Sequence, residues 1–100
     1  YMYNGYLKHK QEIWEVKAQA YEQHVGQIKV VGTVKNVSES VQDGHLILEL
    51  RCFTKEGTLV WHEYATVPSP GTQPGQELPF TFILAKPKGF SYFNVRASRL

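Results

Sequence analysis

The sequence predicts an all-β protein, an immunoglobulin-like antiparallel β-sandwich of about six to seven strands. Apolar residues recur at every second position through six runs, turn formers separate these runs about every ten residues, and no run keeps the 3.6-residue period of an amphipathic helix. A small barrel is the runner-up architecture.

The first run, Gln11 to Tyr21, places Trp14, Val16, Ala18 and Ala20 on one face, with Glu15, Lys17 and Gln19 on the other. Ala, Gln, Glu and Lys favour helices, yet the apolar positions lie two apart. Tyr21 to His24 is read as an interruption. Val25 to Val37 resumes with Ile28, Val30, Gly32 and Val34 on one face, and is expected to be a central strand. Gly32 marks a close approach by a neighbouring group, for which Trp14 or Trp61 is the expected occupant. Asn36 to Ser40 and Asp43-Gly44 then form a surface loop.

His45 to Thr54 sets Leu46, Leu48, Leu50 and Cys52 against Ile47, Glu49, Arg51 and Phe53. Lys55 to Thr58 is a turn with Gly57 placed for positive φ, and Leu59 to Val67 returns with Leu59, Trp61, Ala65 and Val67 in register. The Pro- and Gly-rich stretch Pro68 to Gly75 can join neither a helix nor a central strand, and is expected to cross between layers. Leu78 to Leu84 alternates again, with Pro79 tolerable at a sheet edge. After the turn Lys86 to Gly89, Phe90 to Leu100 is the last run, with Phe93, Val95 and Ala97 opposite Phe90, Tyr92, Asn94 and Arg96.

One hundred residues fit one domain, assigned to residues 11–100, after an extension over residues 1–10. A 42% apolar content with 20% charged residues is that of a folded chain, and a formal charge of +2 falls short of the dense basic clusters that drive phosphate binding. The single Cys52 excludes an internal disulfide and a multi-cysteine metal site. Within the extension, Tyr1, Tyr3 and Tyr6 precede Lys8, His9 and Lys10, and two readings are open: a frayed, solubilising terminus, or a segment lying beside a membrane.

The chemistry-bearing residues form no catalytic constellation. His62-Glu63 lacks the second histidine of a zinc-protease helix, because Thr66 occupies that place, and His9, His24, His45 and His62 show no ligand spacing. Cys52 shares the leucine face and is read as a buried, inert thiol. Asn36-Val37-Ser38 has the form of a glycosylation sequon and is read as a chance occurrence. The reading therefore predicts no enzyme, no cofactor and no metal.

Three motifs carry a family resemblance over about residues 28 to 84: Val31-Gly32-Thr33-Val34-Lys35-Asn36, Cys52-Phe53-Thr54-Lys55-Glu56-Gly57, and Pro74-Gly75-Gln76-Glu77-Leu78-Pro79-Phe80. Together they resemble the bacterial FxLYD-type domain and its immunoglobulin-like relatives. The Leu-Tyr-Asp ending that names that family is missing after Phe53, so the resemblance holds at superfamily level. It implies an extracytoplasmic, periplasmic or cell-envelope sandwich, membrane-tethered and used for protein binding or assembly. It carries over no catalytic residue.

The expected role is thus a non-enzymatic interaction domain whose partners are other protein subunits. The partner-binding residues are expected to be Phe90, Tyr92 and Arg96, since exposed aromatic and Arg side chains are enriched at interfaces. The alternative is an OB-like barrel that stacks single-stranded nucleic acid on Phe90, Tyr92 or Tyr64, which the modest charge disfavours. A sugar- or ligand-binding sandwich using Trp14 or Trp61 ranks last, because both positions look inward.

Overall fold

The computed structural model describes residues 4–11, 13–68 and 71–99. Its strands are β1 (Asn4–Lys10), β2 (Trp14–His24), β3 (Gln27–Asn36), β4 (His45–Phe53), β5 (Leu59–Pro68), β6 (Glu77–Ala85) and β7 (Tyr92–Arg99). All pairings are antiparallel, in a four-stranded sheet of order β1-β2-β3-β6 and a three-stranded sheet of order β5-β4-β7. This is the antiparallel β-sandwich expected from the alternation. The two sheets share no strand ladder among the described residues, so the runner-up barrel is not formed.

The chain changes sheet between β3 and β4, between β5 and β6, and between β6 and β7, which returns β6 beside β3 and β7 beside β4. Such crossings bury one face of each sheet against the other. The alternating residues do that work. Val16, Ala18 and Ala20 from β2, Ile28, Val30 and Val34 from β3, and Leu46, Leu48 and Leu50 from β4 meet Phe80, Phe82, Phe93 and Val95 in one buried cluster. Each large apolar side chain stabilises the fold by about 1.5–3 kcal/mol when fully buried. β3 lies between β2 and β6, as expected of a central strand, and β6 is an edge where Pro79 removes no ladder hydrogen bond.

Five expectations are corrected. Residues Asn4–Lys10, read as an extension outside the sheet, form β1 and pair with β2; Tyr1 and Tyr3 lie outside the described residues. Tyr21 to His24 is no interruption. β2 continues through it to a two-residue hairpin turn, Val25-Gly26, with Gly26 at φ +81°, and the register shift between Glu22 and His24 absorbs the extra residue.

Gly32 admits a neighbouring backbone and no tryptophan. A Cβ at this position would lie 2.0 Å from the Lys17 carbonyl oxygen and 2.8 Å from Ala18 Cα. The notch is cut by strand-to-strand approach within the sheet, which side-chain size cannot reveal.

Leu59 and Trp61 do not share a face in register. The ladder shifts between Cys52 and Phe53, so Leu59 pairs with Phe53 while Trp61 pairs with Cys52. Trp61 opposes a buried residue yet is 47% exposed: β5 is the sheet's edge, and while Ala65 and Val67 farther along it pack against the core, Trp61 is left uncovered. Trp14, by contrast, is 3% exposed.

The last strand begins at Tyr92, not Phe90. Phe90 belongs to the preceding turn, where its N–H donates to the Pro87 carbonyl at 3.1 Å, and its ring is half-buried against the core.

The loops are held by Asn36, which is fully buried at the end of β3. Its Nδ2 donates to the Ser40 and Thr72 carbonyls at 2.8 and 2.9 Å, and its Oδ1 accepts from the Ser38 N–H and hydroxyl at 2.9 and 2.6 Å. The Gly75 N–H donates to its carbonyl, and its own N–H donates to Gln76. One side chain therefore ties the β3–β4 loop to the β5–β6 crossing.

Candidate interaction face

The outer face of the β5-β4-β7 sheet is a grid of three columns set by the strand register. Its rows are Leu59–Phe53–Tyr92, His62–Arg51–Asn94, Tyr64–Glu49–Arg96 and Thr66–Ile47–Ser98. Columns stand about 4.8 Å apart and rows about 7 Å apart, so side chains touch both across and along the sheet. Phe53 and Tyr92 stack with centroids 5.1 Å apart, and His62 meets Tyr64 edge-on at 5.8 Å. Tyr64, Tyr92 and Leu59 are large exposed side chains, Tyr64 at 61%.

Glu49 organises the polar centre of this grid. The Tyr64 hydroxyl donates to Glu49 Oε2 at 3.3 Å, and Arg51 Nε lies 3.3 Å from the same oxygen, an ion pair whose alignment falls short of a hydrogen bond. Arg96 stands on the other side of Glu49 as its partner in β7. Next to Arg51, Asn94 Oδ1 is buried and accepts no hydrogen bond among the described residues. Such an acceptor is costly to leave unpaired.

The opposite outer face differs in kind. Its rows across β2, β3 and β6 are Glu15–Lys35–Glu77, Lys17–Thr33–Pro79, Gln19–Val31–Thr81 and Tyr21–Lys29–Ile83. Thr33 donates to Glu77 at 3.0 Å, and Lys17, Lys29 and Lys35 share these rows with Glu, Gln and Thr and with Tyr21, Val31, Pro79 and an Ile83 that is 53% exposed. This face has no Arg in these rows, and its Lys side chains are flexible cations of the kind depleted at interfaces.

Of the three side chains expected to contact a partner, Tyr92 and Arg96 lie on the grid, two rows apart, and Phe90 does not. Glu49, Arg51, Phe53 and His62 join them there and were not expected from the sequence to contact a partner. Their signal was present in the outward parity of β4, but parity does not say which strands flank it.

Cys52 is buried, and desolvation pushes its thiol up to about 12, with the Glu63 carboxylate adding to the shift. Among the described residues no three or more His, Cys, Asp and Glu side chains gather as metal ligands, and no helix is long and apolar enough to cross a membrane. Asn36 uses both amide hydrogens and its oxygen internally, so the folded sequon presents no free carboxamide. Trp61 stands apart from the grid, its Nε1 donating to Glu63 at 2.9 Å on the open flank. No protein-family model, curated protein or solved structure matches the chain.

Proposed function

We propose that this chain is a non-enzymatic, immunoglobulin-like interaction domain that binds other protein subunits of an extracytoplasmic, membrane-tethered assembly. The observation that carries the reading is the asymmetry of the two outer faces. The β5-β4-β7 face collects Tyr64, Tyr92, Phe53, Arg51 and Arg96, the residue types that anchor protein interfaces, while the rows of the other face hold three Lys and no Arg among Glu, Gln and Thr, with Tyr21, Val31, Pro79 and Ile83 as its scattered apolar residues. The aromatic rings are braced before any partner arrives, by the Phe53–Tyr92 stack and the Tyr64–Glu49 hydrogen bond, which lowers the entropy lost on binding. The compartment and the family follow from the FxLYD-type resemblance of the three motifs.

The test is site-specific photo-crosslinking in cells that produce the protein. A photoreactive residue replaces Tyr64 or Tyr92 on one face, and Lys29 or Thr81 on the other. Discrete protein adducts from the first pair alone are expected. Equal adducts from both faces, no adducts, or adducts to nucleic acid would overturn the reading.

A further inference from the structure

The outer edge of β5 bears on the form of the partner, an inference that rests on the interaction reading above. The direction of its backbone groups follows from Gln11. Gln11 Nε2 donates to the Ala97 carbonyl and Gln11 Oε1 accepts from the Ala97 N–H, both at 2.8 Å, so these two backbone groups point away from β4. Leu48 lies opposite Ala97 in that ladder and opposite Ala65 in the next one. In an antiparallel sheet the Leu48 groups then face β5 and bond Ala65. Alternation turns the N–H and C=O groups of His62, Tyr64 and Thr66 outward, and among the described residues no strand pairs with them.

This edge is open where others are closed. On β7 the inward residues Phe93, Val95 and Ala97 are buried with β1 and β2 packed against the strand, and on β6 Phe80, Phe82 and Leu84 are buried beside Pro79, which has no N–H. The inward residues of β5 are Trp61, Glu63, Ala65 and Val67, opposite Cys52, Leu50, Leu48 and Leu46. Trp61 is 47% exposed and the other three are half-buried. The register shift beside Phe53 and the proline at Pro68 bound the open stretch on either side.

Glu63 decides what can fill it. A charge pointing inward on an edge strand deters an apolar strand from pairing. Glu63 Oε1 accepts from Trp61 Nε1 at 2.9 Å, and among the described residues no cation neutralises the carboxylate. A second copy of this chain is a poor occupant, because β5 contains no Lys or Arg and pairing it with itself leaves both carboxylates uncompensated in every register.

We propose that β5 accepts an extended, antiparallel segment of a partner protein, which bonds the outward backbone groups of His62, Tyr64 and Thr66 and carries a Lys or Arg opposite Glu63. The inward residues on either side of that cation are apolar, one covering Trp61 and the other Ala65. Its outward side chains stand beside His62, Tyr64 and Thr66 and add a fourth column to the grid. The sandwich becomes four strands over four.

The probe is acetyl-Val-Thr-Val-Thr-Lys-Thr-Val-amide, which sets Lys opposite Glu63 and Val opposite Trp61, added to the isotope-labelled chain and followed by amide exchange. Exchange at His62, Tyr64 and Thr66 is expected to slow by roughly tenfold at a free peptide concentration about ten times its Kd. Glu63→Gln weakens binding by roughly threefold to fivefold, and Glu63→Lys reverses the preference toward a peptide with Glu in place of Lys. Thr66→Pro removes an outward N–H without touching the β4 ladder and weakens binding by roughly threefold to tenfold. Protection at the β6 or β7 edge instead, none at His62, Tyr64 and Thr66, or unchanged affinity in Glu63→Gln would overturn the proposal. So would protection of β5 that rises with chain concentration in the absence of peptide, which marks a second copy as the occupant. Crosslinking through Tyr92 that persists when the peptide fails would remove the strand addition and leave the outer-face reading standing.

Discussion

Asn36 Nδ2 lies 2.9 Å from the Thr72 carbonyl oxygen, a buried hydrogen bond across 36 residues of chain. The same carboxamide serves Ser38 and Ser40, so its loss strands several polar groups at once. Asn36→Ala should cost about 3 kcal/mol in urea unfolding. Asn36→Asp should cost at least as much, because a carboxylate cannot donate to the Ser40 and Thr72 carbonyls. A loss below about 1 kcal/mol would show that water replaces the side chain without penalty.

Gly32→Ala should destabilise by about 3 kcal/mol, because a Cβ placed 2.0 Å from the Lys17 carbonyl can be relieved only by moving backbone. Gly26→Ala provides the contrast. No atom lies within 4 Å of its Cβ position, so only the positive φ opposes the change, at about 1 kcal/mol. Thermal unfolding of the two variants measures the difference.

Cys52 predicts alkaline sensitivity. Its folded pKa of about 12 exceeds the ordinary value of 9.0, so above pH 9 the unfolded chain releases the thiol proton first and binds fewer protons than the native one. Stability from this group is complete below that pH and falls by about 1.4 kcal/mol per pH unit up to the folded pKa. Cys52→Ala should remove the slope while lowering the plateau through lost packing, and native protein should resist thiol reagents at pH 8.

Glu22 has the opposite sign. The Gly26 N–H, and then the Lys86 charge working against burial, hold its carboxyl below the ordinary 4.5. Its contribution is present above pH 4.5 and is lost as pH falls through the lowered folded value. Glu22→Gln should flatten the acid limb of the stability profile. An unchanged acid limb would show that the hairpin tip is not what acid releases.

Tyr64→Ala and Arg96→Ala should each change stability by no more than about 0.5 kcal/mol, since both side chains are exposed. Leu50→Ala, fully buried in β4, should cost about 3 kcal/mol. The pair separates an interaction face from a structural one in a single set of melting curves.

How far the molecule was legible follows from the range of each interaction. Leu46, Leu48 and Leu50 could be assigned to the core from their spacing, because a strand's side chains alternate whatever it pairs with. The turn at Gly57 and the crossing after Pro68 were equally readable, since Gly and Pro restrict their own backbone. Phe90 was misplaced because alternation does not say where a strand begins. Trp61 was misjudged because an inward side chain is buried only if the opposite sheet reaches it.

By itself the sequence determined a two-layer β protein with one face of each strand buried, because periodicity and turn chemistry are local properties of a few residues. Only the tertiary structure decided that Glu49 stands between Tyr64 and Arg96, that Lys17 closes on Gly32, and that Gln11 caps Ala97. Those relations depend on which strands are neighbours and in what register, and they are set by the packing of the whole chain.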